Sequence, residues 1–245
     1  MPTPQPASKP PLVAVVVVIL TVVEDDLRVL LIKRSAEPFR DFWALPGGLL
    51  ADREPLDHAA ARKLLDETGV SDVYLEQLYT FGELARGAAL AAETKGARGT
   101  RAADRASTPR PDGADRGIVI TYFALVQHEQ VRLRQSVEWQ PAWHSVYKLP
   151  ALAFDNNAVV DYAVRRLRSK LDYTNVAYSL LPRQFTLSEL QQVYEAILDR
   201  EMDKRNFRRR MLSLGVIKPA GGTRMEGAHR PAQLYTFSKR EPVVV

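Results

Sequence analysis

Apolar residues form three nearly continuous runs in the first half of the chain. These runs are LVAVVVVILTVV (12–23), RVLLIKR (28–34) and IVITYFALV (118–126). They are rich in β-branched residues and predict buried strands, and a further strand is predicted near 73–79. The first run is too short to span a bilayer and is followed at once by acidic residues. A core strand is therefore favoured over a signal segment or a membrane helix.

Two other segments carry apolar residues at helical spacing. In the first, Glu54 to Thr68, the apolar positions are Leu56, Ala60, Leu64 and Leu65, and Gly69 follows where a helix is expected to stop. In the second, Asn156 to Leu171, one face carries Val159, Tyr162, Ala163, Leu167 and Leu171, and the other carries Arg165, Arg166 and Arg168. The chain up to 171 is thus predicted to mix strands and helices.

The last quarter of the chain predicts two helices with clear start signals. Thr186 and Glu189 have the spacing of a capping box, flanked by a hydrophobic staple of Phe185 and Leu190. The buried stripe of this first helix is predicted to contain Leu187, Leu190, Val193, Tyr194, Ile197 and Leu198. Asp203 is the predicted N-cap of the second helix, which ends at Gly215 with Phe207, Met211 and Leu214 facing the core.

A hairpin after these helices completes the pattern of a winged helix-turn-helix. Val216 and Ile217 are predicted to pair with 234–237 around a glycine-containing turn. A charge run is usually only a solvated face, but the second helix holds the recognition position, whose first residues meet bases in the major groove. The predicted DNA contacts are Lys204, Arg205, Asn206, Arg208 and Arg209 on the helix and Lys218, Arg224 and Arg230 on the wing, beside His229.

Charge is distributed unevenly along the chain. Residues 1–182 contain 22 Lys/Arg and 22 Asp/Glu, whereas residues 183–240 contain 12 and 6, so the net charge of +5 arises in the last quarter. Such a local excess favours a nucleic-acid partner. The chain has no cysteine, which excludes disulfides and thiolate metal sites, and we expect a cytoplasmic protein with no membrane partner.

A long motif with fixed spacing starts at Gly48. It resembles the Nudix box at Gly48, Glu54, Arg62, Leu64, Glu67, Gly69 and Val70, with Asp66 as a conservative replacement. The resemblance implies an α/β Nudix fold, in which a mixed sheet is sandwiched by helices. It also implies that carboxylates hold a divalent metal such as Mg²⁺ against a diphosphate, and the metal-ligand candidates are Asp66 and Glu67.

Lys63 stands where the box has the first glutamate of its core. A lysine held beside two carboxylates cannot accept a proton, so hydrolysis is predicted to be lost or feeble and Mg²⁺ is not expected to be required. Two roles for Lys63 stay open. Its ammonium takes over part of the electrostatic role of the missing metal, or it forms an ordinary exposed ion pair with the acids three and four residues on.

Ligand binding can survive the loss of catalysis, because binding and transition-state stabilisation are separable. The candidate effector contacts are Arg34, Phe39, Arg40, Trp43, Arg62 and Glu67. Two of them have structural alternatives: Arg62 can brace Glu54, and Trp43 can belong to the core.

Beyond the box, the segments LPALAFDN, YSLLP, FTLSELQQVYEAIL and DKRNFRRRMLSLG are similar to the Nudix-related transcriptional regulators, the NrtR family. The resemblance implies a homodimer that represses NAD metabolism genes by binding a palindromic double-stranded operator, with ADP-ribose as the effector that releases it. We expect a disordered tail (1–11), a Nudix-like effector-binding domain (12–171) and a winged helix domain (172–240). An Ala-, Gly- and Arg-rich stretch (84–117) is predicted to be a flexible insertion.

Two other functions are compatible with the same motifs. One is a Mg²⁺-dependent ADP-ribose pyrophosphatase with an appended regulatory domain. The other is an RNA-binding Nudix protein. The RNA-binding function is disfavoured, because a helix-turn-helix with a wing suits a duplex major groove, whereas sequence-specific RNA recognition usually targets single strands.

Overall fold

The computed structural model describes residues 12–37, 39–82, 117–133, 140–225 and 231–244. The predicted tail over 1–11 and the predicted insertion up to 116 lie outside the described residues. The last residue of that predicted insertion, Gly117, is the first residue of a strand. Gly117 therefore belongs to the sheet and not to the predicted insertion.

The first part of the chain forms a mixed sheet with two helices. Its strands are β1 (Leu12–Val23), β2 (Asp26–Lys33), β3 (Trp43–Ala44), β4 (Gly47–Leu49), β5 (Tyr74–Phe81), β6 (Gly117–Leu125) and β7 (Gln140–Ser145). Its helices are α1 (Leu56–Thr68) and α2 (Asn156–Tyr173), and a 3-10 turn, Ala153–Asp155, precedes α2.

β1 lies in the middle of the sheet. It pairs in parallel with β6, where Val18 is opposite Phe123, and antiparallel with β2, where Leu20 is opposite Val29. The order is β3-β2-β1-β6-β5, with β4 paired to β1 and β7 to β2. A central strand covered on both faces is expected to be apolar almost throughout, which explains the long run of valines.

Successive residues of β1 supply two different cores. Val15, Val17 and Ile19 pack with Ala60 and Leu64 of α1 on one face of the sheet. The opposite face packs against α2, in a cluster that contains Val18, Leu20, Val160, Ala163 and Leu167. The sheet is therefore sandwiched by helices, as the Nudix resemblance implied.

The helix boundaries and buried faces depart from prediction in four places. α1 begins two residues later than expected, and Leu65 is 43% exposed, because it lies about 100° around the helix from the buried Leu64. α2 continues to Tyr173, and its Tyr162 is only half-buried. The stop at Gly69 is confirmed, with a left-handed φ of 69°.

The last part of the chain forms the predicted winged helix. It contains β8 (Phe185–Thr186), α3 (Leu187–Leu198), α4 (Lys204–Ser213), β9 (Ile217–Arg224) and β10 (Ala232–Phe237), with sheet order β8-β10-β9. Both hydrogen bonds of the capping box between Thr186 and Glu189 are present. The Asp203 carboxylate accepts the backbone N–H of Asn206 at 2.8 Å, as expected of an N-cap.

One expectation for α4 was wrong. Phe207 and Met211 are buried, but Leu214 is 40% exposed. The helix ends at Ser213, and Gly215 turns the chain with a φ of 65°, so Leu214 no longer follows the buried face.

The two predicted domains share one apolar core. The cluster that joins the sheet to α2 continues into α3 and α4, through Leu187, Leu190, Ile197, Phe207 and Met211. The predicted boundary after 171 falls inside α2. The winged helix thus packs directly on the first domain.

Candidate effector pocket and DNA-binding surface

A small cavity of about 60 Å³ lies beside β4, on the face of the sheet opposite α1. Its wall is formed by Ala14, Val16, Arg34, Ala44, Leu45, Gly47, Gly48, Val119, Phe154 and Asn156. A Cβ on Gly47 would lie 2.8 Å from the backbone oxygen of Val15, so only glycine permits this approach of β4 to β1. The predicted effector contact Arg34 is part of the wall.

Phe154 is a wall residue that the sequence did not predict. It has a φ of 56° and Asp155 a φ of 58°, a conformation that non-glycine residues rarely adopt. The Arg34 guanidinium lies 4.7 Å from the centre of the Phe154 ring, and the centres of the Phe39 and Phe154 rings are 4.8 Å apart. Arg34, Phe39 and Phe154 therefore form one cation-aromatic group at the cavity.

Two asparagines hold this strained turn in place. The Asn156 side chain accepts the backbone N–H of Leu45 at 2.9 Å. The Asn157 side chain accepts the N–H of Leu152 at 2.8 Å and donates to the Pro150 carbonyl at 2.9 Å. The Asn156 bond joins the LPALAFDN segment to the residue that follows β3, and the Asn157 bonds hold the turn itself. The motif was the signal that could have pointed to Phe154.

The structure places Trp43 and Arg40 outside the cavity wall. The Trp43 ring packs 4.4 Å from that of His144, whose pKa is lowered by burial, and Arg40 is exposed. The core role of Trp43 is thus favoured over direct contact with an effector.

In the Nudix box, Arg62 braces Glu54. Its Nε and Nη2 atoms each lie 2.8 Å from a Glu54 oxygen, and its Nη1 lies 3.8 Å from Asp66. The hydrogen bond with Arg62 lowers the pKa of Glu54, and the same bond raises the pKa of Arg62. One guanidinium thus faces two of the acids of the box.

The predicted metal ligands differ in accessibility. Asp66 is exposed, whereas Glu67 is only 2% exposed. Within the described ranges, no three His, Asp or Glu side chains are placed to hold one metal ion. Lys63 is half-buried and lies over β4: a Cβ built on Gly48 would be 3.2 Å from its Nζ.

On the winged helix, four predicted contacts of α4 are exposed together, namely Lys204, Arg205, Asn206 and Arg209. Arg209 donates to the Asn206 side chain at 2.9 Å, and Lys218 on β9 is also exposed. Arg208 was expected to project outward, but it is half-buried and its Nη2 lies 3.5 Å from the Ser188 hydroxyl. Its guanidinium is therefore turned toward Ser188 at the start of α3.

On the wing, Arg224 is tied into the fold. Its Nη1 lies 2.6 Å from Glu189, and its Nη2 donates to the Gln184 carbonyl at 3.1 Å. This arginine therefore holds β9 against the start of α3. Arg230 and His229 lie outside the described residues.

The end of α3 is held by two side chains of the first domain. The Nε of Arg168 on α2 donates to the Ile197 carbonyl at 2.8 Å, and the Tyr147 hydroxyl donates to the Ala196 carbonyl at 2.5 Å. The last carbonyls of a helix lack partners inside it, and a cation is favourable there. Arg168 was predicted on the outer face of its helix, and the structure gives it this contact instead.

Comparisons with known proteins connect both parts of the chain to one family. Residues 11–164 match the NUDIX domain model, and residues 177–237 match the model of the NrtR DNA-binding winged helix domain. The ADPR responsive transcriptional repressor NtrR of Acinetobacter baylyi is 35% identical over 94% of this chain and 84% of its own length. This chain belongs to the NrtR family.

Solved structures agree with this membership. Shewanella oneidensis NrtR complexed with a 27mer DNA has a TM-score of 0.72 and 30% identity, over 92% of this chain and 93% of that one. A MutT/nudix family protein from Enterococcus faecalis, with a TM-score of 0.70 and 22% identity, shares the fold over 96% of this chain and 90% of its own. In the described parts of this NrtR family member, no helix is long and apolar enough to cross a membrane.

Proposed function

We propose that this chain is a transcriptional repressor of NAD metabolism genes that binds operator DNA and releases it when its Nudix domain binds ADP-ribose. The observation that carries the proposal is the exposed group of cations at the start of α4, on a winged helix packed against a Nudix sheet with its own cavity. The Acinetobacter relative is an ADPR responsive repressor, and Shewanella NrtR has been crystallised with DNA.

DNA reading is assigned to α4 and β9. In helix-turn-helix proteins the second helix enters the major groove, and here α4 presents Lys204, Arg205, Asn206 and Arg209 on its exposed face. Lys218 on β9 is exposed and can contact a DNA phosphate. A homodimer would present two such helices to a palindrome, with half-sites one helical turn apart or a multiple of it.

Effector binding is assigned to the cavity bounded by Arg34, Phe154 and Asn156, with Phe39 packed against Phe154. A cavity of about 60 Å³ is far smaller than the roughly 300–1,000 Å³ typical of small-molecule sites, so binding must open it. Because Phe154 lies two residues before the start of α2, its displacement would act on the start of that helix.

α2 links the cavity to the winged helix that is proposed to bind DNA. Asn156, its first residue, is part of the cavity wall, and Arg168, about 18 Å along the helix, holds the end of α3. A shift of α2 would therefore move α3, and with it α4, relative to the first domain. In a dimer such a shift changes the separation of the two recognition helices.

Hydrolysis is proposed to be lost or feeble. Lys63 replaces a carboxylate of the box, and Glu54 is already held by Arg62 at 2.8 Å. The competing function, an ADP-ribose pyrophosphatase, is favoured by the acids that remain, Asp66 and Glu67. AMP release in the presence of Mg²⁺, at a turnover of roughly 1 per second or more, would establish the enzyme instead.

The proposed function is tested by footprinting the full-length protein on its own promoter, with and without ADP-ribose. A protected palindrome that ADP-ribose removes is the expected result. Protection that ADP-ribose leaves unchanged would contradict the effector assignment, and no protection of promoter DNA would contradict autoregulation and leave selection from random duplexes to test sequence-specific binding itself.

A further inference from the structure

The arrangement of the Nudix box conflicts with the divalent metal that its fold implies. A metal site needs carboxylates that converge on one point. Here Lys63 occupies a carboxylate position of the box, Asp66 is exposed, and Glu67 is buried. Within the part of the chain that the structure describes, no group of three candidate ligands forms.

A lysine ammonium lies beside the same strand. Gly48 is opposite Val15 in the β1–β4 ladder, and Val15 faces α1, so the side-chain direction of Gly48 is toward α1 as well. Lys63 reaches from α1 into the space that a larger residue at 48 would fill, with Nζ at 3.2 Å and Cε at 3.5 Å from that Cβ position. The glycine therefore makes room for the charge.

The cavity and the ammonium lie on opposite sides of β4. Gly48 lines the cavity, as does Arg34, and Lys63 covers the other side of the same three-residue strand. The strand ends at Leu49, which is 37% exposed. An extended ligand with its nucleoside in the cavity would cross this end of the strand with its diphosphate and come within reach of Lys63.

We infer that Lys63 supplies the positive charge that a divalent metal supplies in hydrolases of this fold, so that the protein binds the diphosphate of its effector without metal. This inference rests on the proposed function. Lysine binds phosphate as a compact point charge, with three donors and no need for convergent acids. The same substitution would thus remove a catalytic carboxylate and leave a binding group.

The test is calorimetric titration of the full-length protein with ADP-ribose, in EDTA and in millimolar Mg²⁺. The wild-type dissociation constant is expected to agree within about twofold between the two conditions. Lys63→Gln should weaken binding about tenfold in EDTA, the size expected for one charged hydrogen bond. Lys63→Arg, which keeps the charge, should retain most of the affinity, and Lys148→Gln, which removes an exposed lysine elsewhere, should bind as wild type does.

Two further arms identify the group that Lys63 contacts. Adenosine, which lacks the diphosphate, should bind wild type and Lys63→Gln equally. Lys63→Glu should bind ADP-ribose weakly in EDTA and more tightly once Mg²⁺ is added, because the carboxylate can again contribute to a metal site. Circular dichroism and thermal unfolding of each variant show whether it folds.

The outcomes distinguish failure of the Lys63 inference from failure of the proposed effector, ADP-ribose. Wild-type binding that requires Mg²⁺ would overturn the inference alone, as would a Lys63→Gln variant that is folded and binds ADP-ribose as tightly as wild type in EDTA. If wild type binds no ADP-ribose in either condition, the effector assignment itself is overturned, and the inference with it.

Discussion

Two helices of this protein, α1 and α4, carry neighbouring cations and use them in opposite ways. On α1, Arg62 is bonded to Glu54 and lies near Asp66, so its positive charge is balanced by acids of the same domain. On α4, Lys204 and Arg205 are exposed, and Arg209 donates to the uncharged side chain of Asn206. A cation paired within the fold shapes the protein, whereas one left facing solvent attracts a polyanion.

The difference matters although the two helices pack in different cores, α1 on one face of the sheet and α4 in the cluster on the other face. α2 starts at the wall of the cavity, and its Arg168 contacts the end of α3. The first domain and the winged helix are therefore mechanically joined. The comparison therefore predicts which substitutions affect DNA, which affect the effector, and which affect only the coupling between them.

The largest effect is expected for the exposed cations of α4. The double variant Arg205→Ala/Arg209→Ala should lose at least about 30-fold in operator affinity, at roughly 1–3 kcal/mol per contact, with an unchanged melting temperature. Fluorescence anisotropy over a range of salt concentrations measures this, and each lost phosphate contact should reduce the salt slope by about 0.9. The matched variant Arg62→Ala removes a paired cation of α1 and should keep the operator affinity of wild type. A strong loss of operator affinity in Arg62→Ala would contradict the comparison between the two helices.

The next effect concerns the cavity. Phe154→Ala should weaken ADP-ribose about tenfold, because removing an aromatic partner of a base costs about 1–3 kcal/mol, while operator affinity without effector stays within about twofold. Calorimetry and anisotropy measure the two quantities separately. Trp43→Phe is the contrasting variant, since Trp43 lies outside the wall, and effector binding that depends on Trp43 rather than Phe154 would refute the assignment.

A smaller effect is expected at the junction. Arg168→Ala removes a 2.8 Å bond to the end of α3 and should lower stability by about 1–3 kcal/mol. Binding of DNA and of ADP-ribose should each persist, but ADP-ribose should displace DNA less effectively than in wild type. Arg165→Ala, an exposed arginine on the same helix, serves as the control, and unchanged displacement in Arg168→Ala would exclude this route.

The smallest effect is expected for Arg224, a paired cation on the reading half. Because it bonds to Glu189 at 2.6 Å and both side chains are partly exposed, Arg224→Ala should cost no more than about 1 kcal/mol of stability. Operator affinity should change only about twofold. Lys218→Ala, which removes an exposed cation on β9, should instead reduce the salt slope. The opposite ranking of the two variants would contradict the comparison.

Local patterns in the sequence were sufficient to predict most elements of the fold. The capping box at Thr186 and Glu189 and the stop at Gly69 each involve residues close in sequence, so their chemistry is readable without tertiary structure. Leu65 and Leu214 were misplaced, because periodicity alone does not show how wide a face is covered or where the last turn ends.

The site was less predictable, because its contacts join distant segments. Arg168 donates to the Ile197 carbonyl, 29 residues away, and Arg224 bonds to Glu189, 35 residues away. In the sequence, both arginines therefore look like exposed surface charges. Phe154 reaches the cavity wall only through a positive φ, a conformation that no phenylalanine signals by itself. In each case the missing information was the identity of a tertiary partner.

The central claim is that effector binding and DNA binding are coupled, and reciprocal titration tests it most directly. ADP-ribose affinity should be measured on the free protein and on the protein saturated with its footprinted operator. The account predicts weaker ADP-ribose binding in the DNA complex, by the same factor by which ADP-ribose weakens DNA binding, because the coupling free energy is shared. Equal ADP-ribose affinities with and without DNA would contradict the account.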